Sequence, residues 1–132
     1  MPWTMAQAEG DQILVMGYHG KITSEELQEA HHHALGRLTE QKIARVMVDC
    51  STAQAEMPMI DVYKLPDLYV AEDVSRMIRI AMILPQDGYK RDVYEFYEDV
   101  CRNRGFQVQL FDDGDAAWTW LRGDAGISPA AR

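Results

Sequence analysis

The residues best equipped for chemistry lie together in "VMVDCSTAQAEM" (residues 46–57). An apolar run ends there in Asp49 and is followed by Cys50, Ser51 and Thr52. A thiol attacks only as the thiolate, so a nucleophilic Cys50 needs a base, a cation or a helix N-terminus to lower its pKa. No such group is identifiable by spacing, and the adjacent Asp49 opposes a second negative charge. A structural Cys50 is the favoured reading, and a thiol-dependent enzyme or redox sensor using Cys50 is the alternative. Ser51 and Thr52 are better suited to donate hydrogen bonds at the C-terminal end of a strand. That is where ligands and partners usually meet an open α/β sheet.

The run His31-His32-His33 invites a metal site. Consecutive residues on a helix point about 100° apart, so three adjacent imidazoles cannot converge on one ion. His31 falls beside the apolar face and the other two lean toward solvent, an ordinary helix surface. His19, next to Gly20, reads as a loop residue. Asp61, Asp67, Glu72 and Asp73 are scattered around helix ends, where dipole and solvent suit them. "DDGD" (residues 112–115) lacks the length and terminal Glu of a calcium loop. There is no G-x-S-x-G, P-loop or G-x-G-x-x-G. No catalytic residue, metal site or cofactor is expected, and the reading favours a non-enzyme over an enzyme. Tyr63 and Tyr69 flank Pro66, where they could line a groove. The candidate ligand- or partner-binding set is therefore Asp49, Cys50, Ser51, Thr52, Tyr63 and Tyr69.

The elements that must position these residues follow from periodicity. Residues 3–9 and "QILVMGY" (residues 12–18) read as two strands joined by a tight turn, an antiparallel hairpin. Thr23 and Glu26 form a capping-box pattern, after which Leu27, Ala30, Ala34, Leu35 and Leu38 recur at helical spacing. Residues 43–48 are apolar enough for a central strand covered on both faces, ending at a strand-to-loop junction at Cys50-Ser51-Thr52. Pro58 can open a helix that Pro66 breaks or kinks. "IRIAMIL" (residues 78–84) is a strand, and residues 89–104 form a helix with Val93, Phe96, Tyr97, Val100 and Cys101 on one face. Gly105 suits a left-handed cap. "FQVQLF" alternates as a strand, and Asp112 or Asp113 caps a last helix. There Trp120 and Leu121 face the core and Trp118 is at least partly exposed.

The order is ββαβαβαβα: an α/β single-domain sandwich over residues 1–122, with a mixed five-stranded sheet, an N-terminal hairpin and about four helices. Residues 123–132 read as a flexible tail. The 132-residue chain can bury a core without staples. Its formal charge of −8 argues against nucleic acid or an anionic membrane as partner. No apolar run reaches the length of a membrane span, and no secretory signal is visible. Cys50 and Cys101 belong to no C-x-x-C pair, which points to a reducing cytoplasm. A bridge between them stays open, though two small buried hydrophobes is the simpler reading. The first strand as a sheet edge, or Trp118, could support a homodimer.

Three patterns in this order, "RVMVDCS", "MIRIAMILP" and "FYEDVCRNRGFQVQLFDDGDAAWTWL", resemble the STAS-like proteins, specifically the SpoIIAA-like branch related to anti-sigma-factor antagonists. The similarity runs from about residue 12 to residue 121. It implies a mixed sheet with helices and a non-enzymatic role in binding another protein or a small apolar ligand. In the phosphorylated antagonists, an Asp-Ser-Ser-Gly or Asp-Thr-Ser-Gly motif at the start of the second helix carries the switch serine. Here that region reads "AQAEMPMID", without Ser, Thr or Gly, and Ser51 and Thr52 come too early. The phosphoswitch of that group is not expected in this chain.

Overall fold

The computed structural model describes residues 2–8, 12–56 and 58–123. The chain order is β1 (Trp3–Ala8), β2 (Ile13–Thr23), α1 (Ser24–Gln41), β3 (Arg45–Glu56), α2 (Met59–Ala71), β4 (Arg79–Ile83), α3 (Arg91–Asn103), β5 (Gln107–Phe111) and α4 (Gly114–Arg122). The five strands lie side by side in that same order. β1 and β2 are antiparallel, and every later neighbour is parallel. This is the ββαβαβαβα mixed sheet the sequence implies.

Each parallel pair is joined through one helix, and the handedness of such crossovers puts α1, α2 and α3 on one face. Leu14, Met16, Val46, Val48, Ile80 and Met82 fill the main core on that face. The intervening residues Ile13, Met47, Ala81 and Ile83 point the other way and meet Ala117 and Leu121 of α4. A five-stranded sheet is thus covered by three helices on one face and one short helix on the other.

The local signals hold at several helix ends. The Thr23 side chain accepts from the Glu26 N–H and the Glu26 carboxylate accepts from the Thr23 N–H, closing the capping box. Leu27, Ala30, Ala34, Leu35 and Leu38 are the buried stripe of α1. Asp113 caps α4, accepting from the N–H groups of Asp115 and Ala116. Gly105 takes the left-handed conformation that ends α3, with φ of 90°.

Four expectations are corrected. β2 and β3 do not stop at Tyr18 and Val48 but run on to Thr23 and Glu56. His19 is therefore a strand residue, and Cys50-Ser51-Thr52 lie inside a strand rather than at a junction with a loop. Polar residues disguise the extension, yet the two strands pair along it from His19↔Thr52 to Thr23↔Glu56. Pro66 does not break α2, which continues to Ala71; the proline costs the helix one backbone hydrogen bond, and its ring is buried. Tyr94, absent from the predicted face of α3, is buried, whereas Val93 and Phe96 are half-buried. On α4 the buried residues are Ala117 and Leu121, and Trp118 and Trp120 are both half-buried. Trp120 leans on Phe111 at 5.8 Å between ring centroids, under the Arg79 guanidinium, and Trp118 lies under Arg122 at 4.8 Å. Gly123 closes α4 in a left-handed conformation, and the expected tail from residue 124 onward lies outside the described residues.

The docking of α4 depends most on its fully buried Ala117 and Leu121, with the half-buried Trp118 and Trp120 packed at the margin. Leu121→Ala should cost about 2–5 kcal/mol, the usual range for a fully buried leucine. Trp118→Ala and Trp120→Ala should each cost less than that. Urea unfolding of the three variants checks the order.

Candidate functional site

The pairing of β2 with β3 changes register inside the candidate segment. Gly17 faces Asp49, but His19 faces Thr52, so Cys50 and Ser51 together oppose Tyr18. This is a β-bulge, one extra residue on β3. The Asp49 carboxylate accepts the Ser51 N–H at 2.9 Å and so holds the bulge from within. The Ser51 carbonyl accepts from the Gln86 N–H at 3.1 Å, tying the bulge to the segment after β4. The extra residue also shifts which side chains face the helices. Val46, Val48 and Cys50 point to the main core before the bulge, and Ala53 does so after it.

The six candidates separate accordingly. Cys50 and Tyr69 are buried on the helix-covered face and line one cavity. Asp49 and Ser51 build the bulge. Thr52 is exposed, and its hydroxyl lies 3.3 Å from Nδ1 of His19. Tyr63 is on the outer side of α2, 49% exposed, under the Arg104 guanidinium. The structure brings Cys50 and Tyr69 together at the cavity and places Asp49, Ser51, Thr52 and Tyr63 outside its lining.

The cavity holds about 110 Å³ between the sheet and helices α1, α2 and α3. Met16, Val48, Ile80 and Met82 form its floor, Ala34, Leu35 and Leu38 one wall, and Val62, Leu65 and Tyr69 its roof. α2 packs chiefly on α3 rather than on the strands, which leaves this space beneath it. Lys90, an exposed residue, also lines the cavity, so it reaches the surface at the start of α3. There Lys90 pairs with Glu56 at 3.9 Å, and the Tyr89 hydroxyl donates to the same carboxylate.

Few polar atoms enter this lining. The Tyr69 and Tyr97 hydroxyls share a hydrogen bond of 2.6 Å. His31 is half-buried, its Nδ1 2.8 Å from the Leu27 carbonyl and its ring stacked on Tyr69 with centroids 6.1 Å apart. That corrects the surface reading of His31, whereas His32 and His33 are exposed as expected. Burial lowers the His31 pKa, outweighing its backbone hydrogen bond, so the neutral imidazole is favoured. The buried Tyr94 hydroxyl has no well-formed hydrogen-bond partner, although it lies close enough to the Cys50 thiol to influence its titration. Tyr94 and Tyr18, which also line the cavity, were missed because a phenol within an apolar stripe reads as core. The spacing Tyr94, Tyr97, Cys101 was the available signal.

Cys50 and Cys101 are free and buried. Burial first, then the Asp49 charge, pushes the Cys50 thiol up to about 12, against the lowering effect of Tyr94. Burial likewise raises Cys101 to about 12. A nucleophile needs the opposite shift. Among the described residues, no three His, Cys, Asp or Glu are grouped to hold a metal ion, and no helix is long and apolar enough to cross a membrane.

Three solved structures share this architecture. The anti-sigma-factor antagonist SpoIIAA in its unphosphorylated form superposes with a TM-score of 0.63 at 11% identity, covering 92% of this chain and 98% of that one. An anti-sigma-factor antagonist from Mycobacterium paratuberculosis gives 0.62 at 16% identity, over 91% and 94%. An uncharacterized protein with a SpoIIAA-like fold from Shewanella loihica gives 0.53 at 18% identity, over 90% and 91%. No family profile and no curated protein sequence matches the chain. The fold is therefore the SpoIIAA-like, STAS-like one, and at these identities the likeness is one of fold.

The raised thiols give a prediction with a definite sign. In the unfolded chain a thiol ionises near its ordinary value of 9.0, and in the folded chain near 12. Their contribution is intact below pH 9.0 and is lost as the pH rises toward 12, because the unfolded state releases its protons first. Stability in urea should fall through that window. Iodoacetamide at pH 8 should label both cysteines far more slowly in the native protein than in urea, and equal rates would show that the thiols are not buried.

Proposed function

We propose that the protein is a non-enzymatic regulatory module that binds a small apolar ligand beneath α2. The observation that carries this reading is the cavity: mostly apolar, reaching the surface near Lys90, and lined in part by Tyr94, whose buried hydroxyl has no well-formed hydrogen-bond partner. A buried hydroxyl without a partner costs on the order of 1–3 kcal/mol, which a ligand bearing a hydrogen-bond acceptor would recover. Apolar cavities of this size class stay dry and accept small hydrophobic molecules. The ligand class that fits is a short alkyl or aryl body with one carbonyl-type acceptor. The thiol-based alternative loses support, since burial and the Asp49 charge both keep Cys50 protonated.

A regulatory role draws on the other side of the same helix. Met59, Ile60, Tyr63 and Val70 of α2 are all exposed, with Ile60 at 58%. One helix thus roofs the cavity and presents apolar side chains outward, a surface of the kind that protein partners cover. Two of the similar structures are anti-sigma-factor antagonists, which favours a protein partner. We also infer that the module works without a serine phosphoswitch. Pro58 caps α2 without a side-chain hydrogen bond, no hydroxyl precedes it between Ala53 and Asp61, and Ser51 and Thr52 belong to β3. The free thiols fit a reducing cytoplasm.

Saturation-transfer NMR with a series of short alkyl ketones tests the ligand reading. Wild type should bind in a saturable way, and Ala34→Phe, which fills the cavity, should abolish binding. Tyr94→Phe should weaken it roughly fivefold, as expected for one lost neutral hydrogen bond. No binding to wild type, or equal binding by all three proteins, contradicts the proposal.

A further inference from the structure

The two edges of the sheet are treated differently. At β5 two of the outward backbone groups are occupied: the Val108 carbonyl accepts from Arg102 Nε at 2.8 Å, and the Leu110 N–H donates to Glu98 Oε2 at 3.1 Å. Arg102 and Glu98 also pair with each other at 3.6 Å. One turn of α3 thus covers part of that edge with charged side chains, one of the devices by which proteins blunt an exposed strand.

β1 carries no such protection. The His19 N–H donates to the Pro2 carbonyl at 2.7 Å, which marks Pro2↔His19 as a hydrogen-bonded pair in this antiparallel ladder. Hydrogen-bonded and non-bonded pairs alternate, and Trp3 faces Tyr18, Met5 faces Met16 and Gln7 faces Leu14. Trp3, Met5 and Gln7 therefore turn their N–H and C=O groups away from β2. Among the described residues no side chain reaches these outward groups. The strand Trp3–Ala8 contains no charged residue, no proline and no bulge.

We propose that β1 pairs antiparallel with β1 of a second copy of this chain, forming a two-fold dimer with one continuous ten-stranded sheet. An antiparallel strand edge is self-complementary under a two-fold axis, so the same groups satisfy each other in both directions. Because Arg102 and Glu98 occupy backbone groups of β5 that a further strand would need, head-to-tail addition of β1 onto β5 is disfavoured, and assembly closes at two copies. The six-residue strand is small for a stable interface, which usually buries about 800 Å² per partner, so the flanking stripe of α1 must share it. That stripe is Glu29, His33 and Arg37. His33 lies against Trp3 with ring centroids 5.4 Å apart, and Arg37 Nη1 donates to the Gln7 side chain at 3.0 Å. An antiparallel copy presents Arg37 at the end where the first presents Glu29, so unlike charges meet. The net charge of −8 on each copy works against association and is weakened by salt.

Hydrogen exchange read by NMR against protein concentration, with sedimentation equilibrium alongside, tests this pairing. The amides of Met5 and Gln7 should gain protection as the dimer forms at micromolar concentration, while amides at the β5 edge do not change. Gln7→Pro removes one outward donor without touching the β2 ladder, and Ala6→Lys places like charges across the two-fold. Each should weaken dimerisation at least tenfold with the far-ultraviolet circular dichroism retained. Should Gln7→Pro fail to fold, Ala6→Lys alone decides. A monomer up to about a hundred micromolar, a dimer that survives Ala6→Lys, or protection without alternation along β1 overturns the proposal.

Discussion

Three helices must share one face of a narrow sheet. Strands taken in sequential order with crossovers of one hand place α1, α2 and α3 over successive strand pairs, whose centres are only about 4.8 Å apart. Packed helices need about 8–10 Å between axes. The crowding is resolved by displacement. α1 keeps its place on β2, α3 keeps its place on β5, and α2 is lifted outward to rest on α3. The 110 Å³ cavity lies under the lifted helix, and the outer apolar residues of α2 are what the lift exposes. Both features assigned to function follow from one geometric conflict.

The bulge at Cys50 and Ser51 is the second determinant. A regular strand would carry the 46, 48, 50 alternation on to residues 52 and 54. The extra residue puts Ala53 inward instead and leaves Thr52 exposed beside His19. Small residues at that end of β3 keep the space beside Ile22 open. The Asp49 carboxylate, chemically the most suggestive group in the segment, is occupied in accepting the Ser51 N–H. Cys50 is buried by the regular alternation that precedes the extra residue, and that burial is the main cause of its raised thiol pKa.

The architecture was legible because its signals are local and redundant. The Thr23–Glu26 box, the Leu27 to Leu38 stripe, the Asp113 cap and Gly105 each mark an element by chemistry within four residues. The extended ends of β2 and β3 were not legible, since "HGKIT" and "STAQAE" carry few apolar residues and are strands through pairing with each other. The site was legible only in pieces. Cys50 and Tyr69 were singled out and do share the cavity. Their partners His31, Tyr18 and Tyr94 come from three other elements, and no spacing along the chain brings them together. Trp120 misled for a related reason: the close approach of α4 to β3 and β4 favours Ala117 and Leu121, and a large ring is left at the margin.

The central claim is that open apolar space lies on the helix-covered face of the sheet and not on the other. Methyl NMR under xenon pressure tests it directly, because Met16 and Met82 line the cavity while Met47 packs on the opposite face beside Ala117 and Leu121. Saturable shifts at Met16 and Met82, with Met47 unmoved, are the predicted result. Equal shifts at all three methyls, or none at any, would contradict the account.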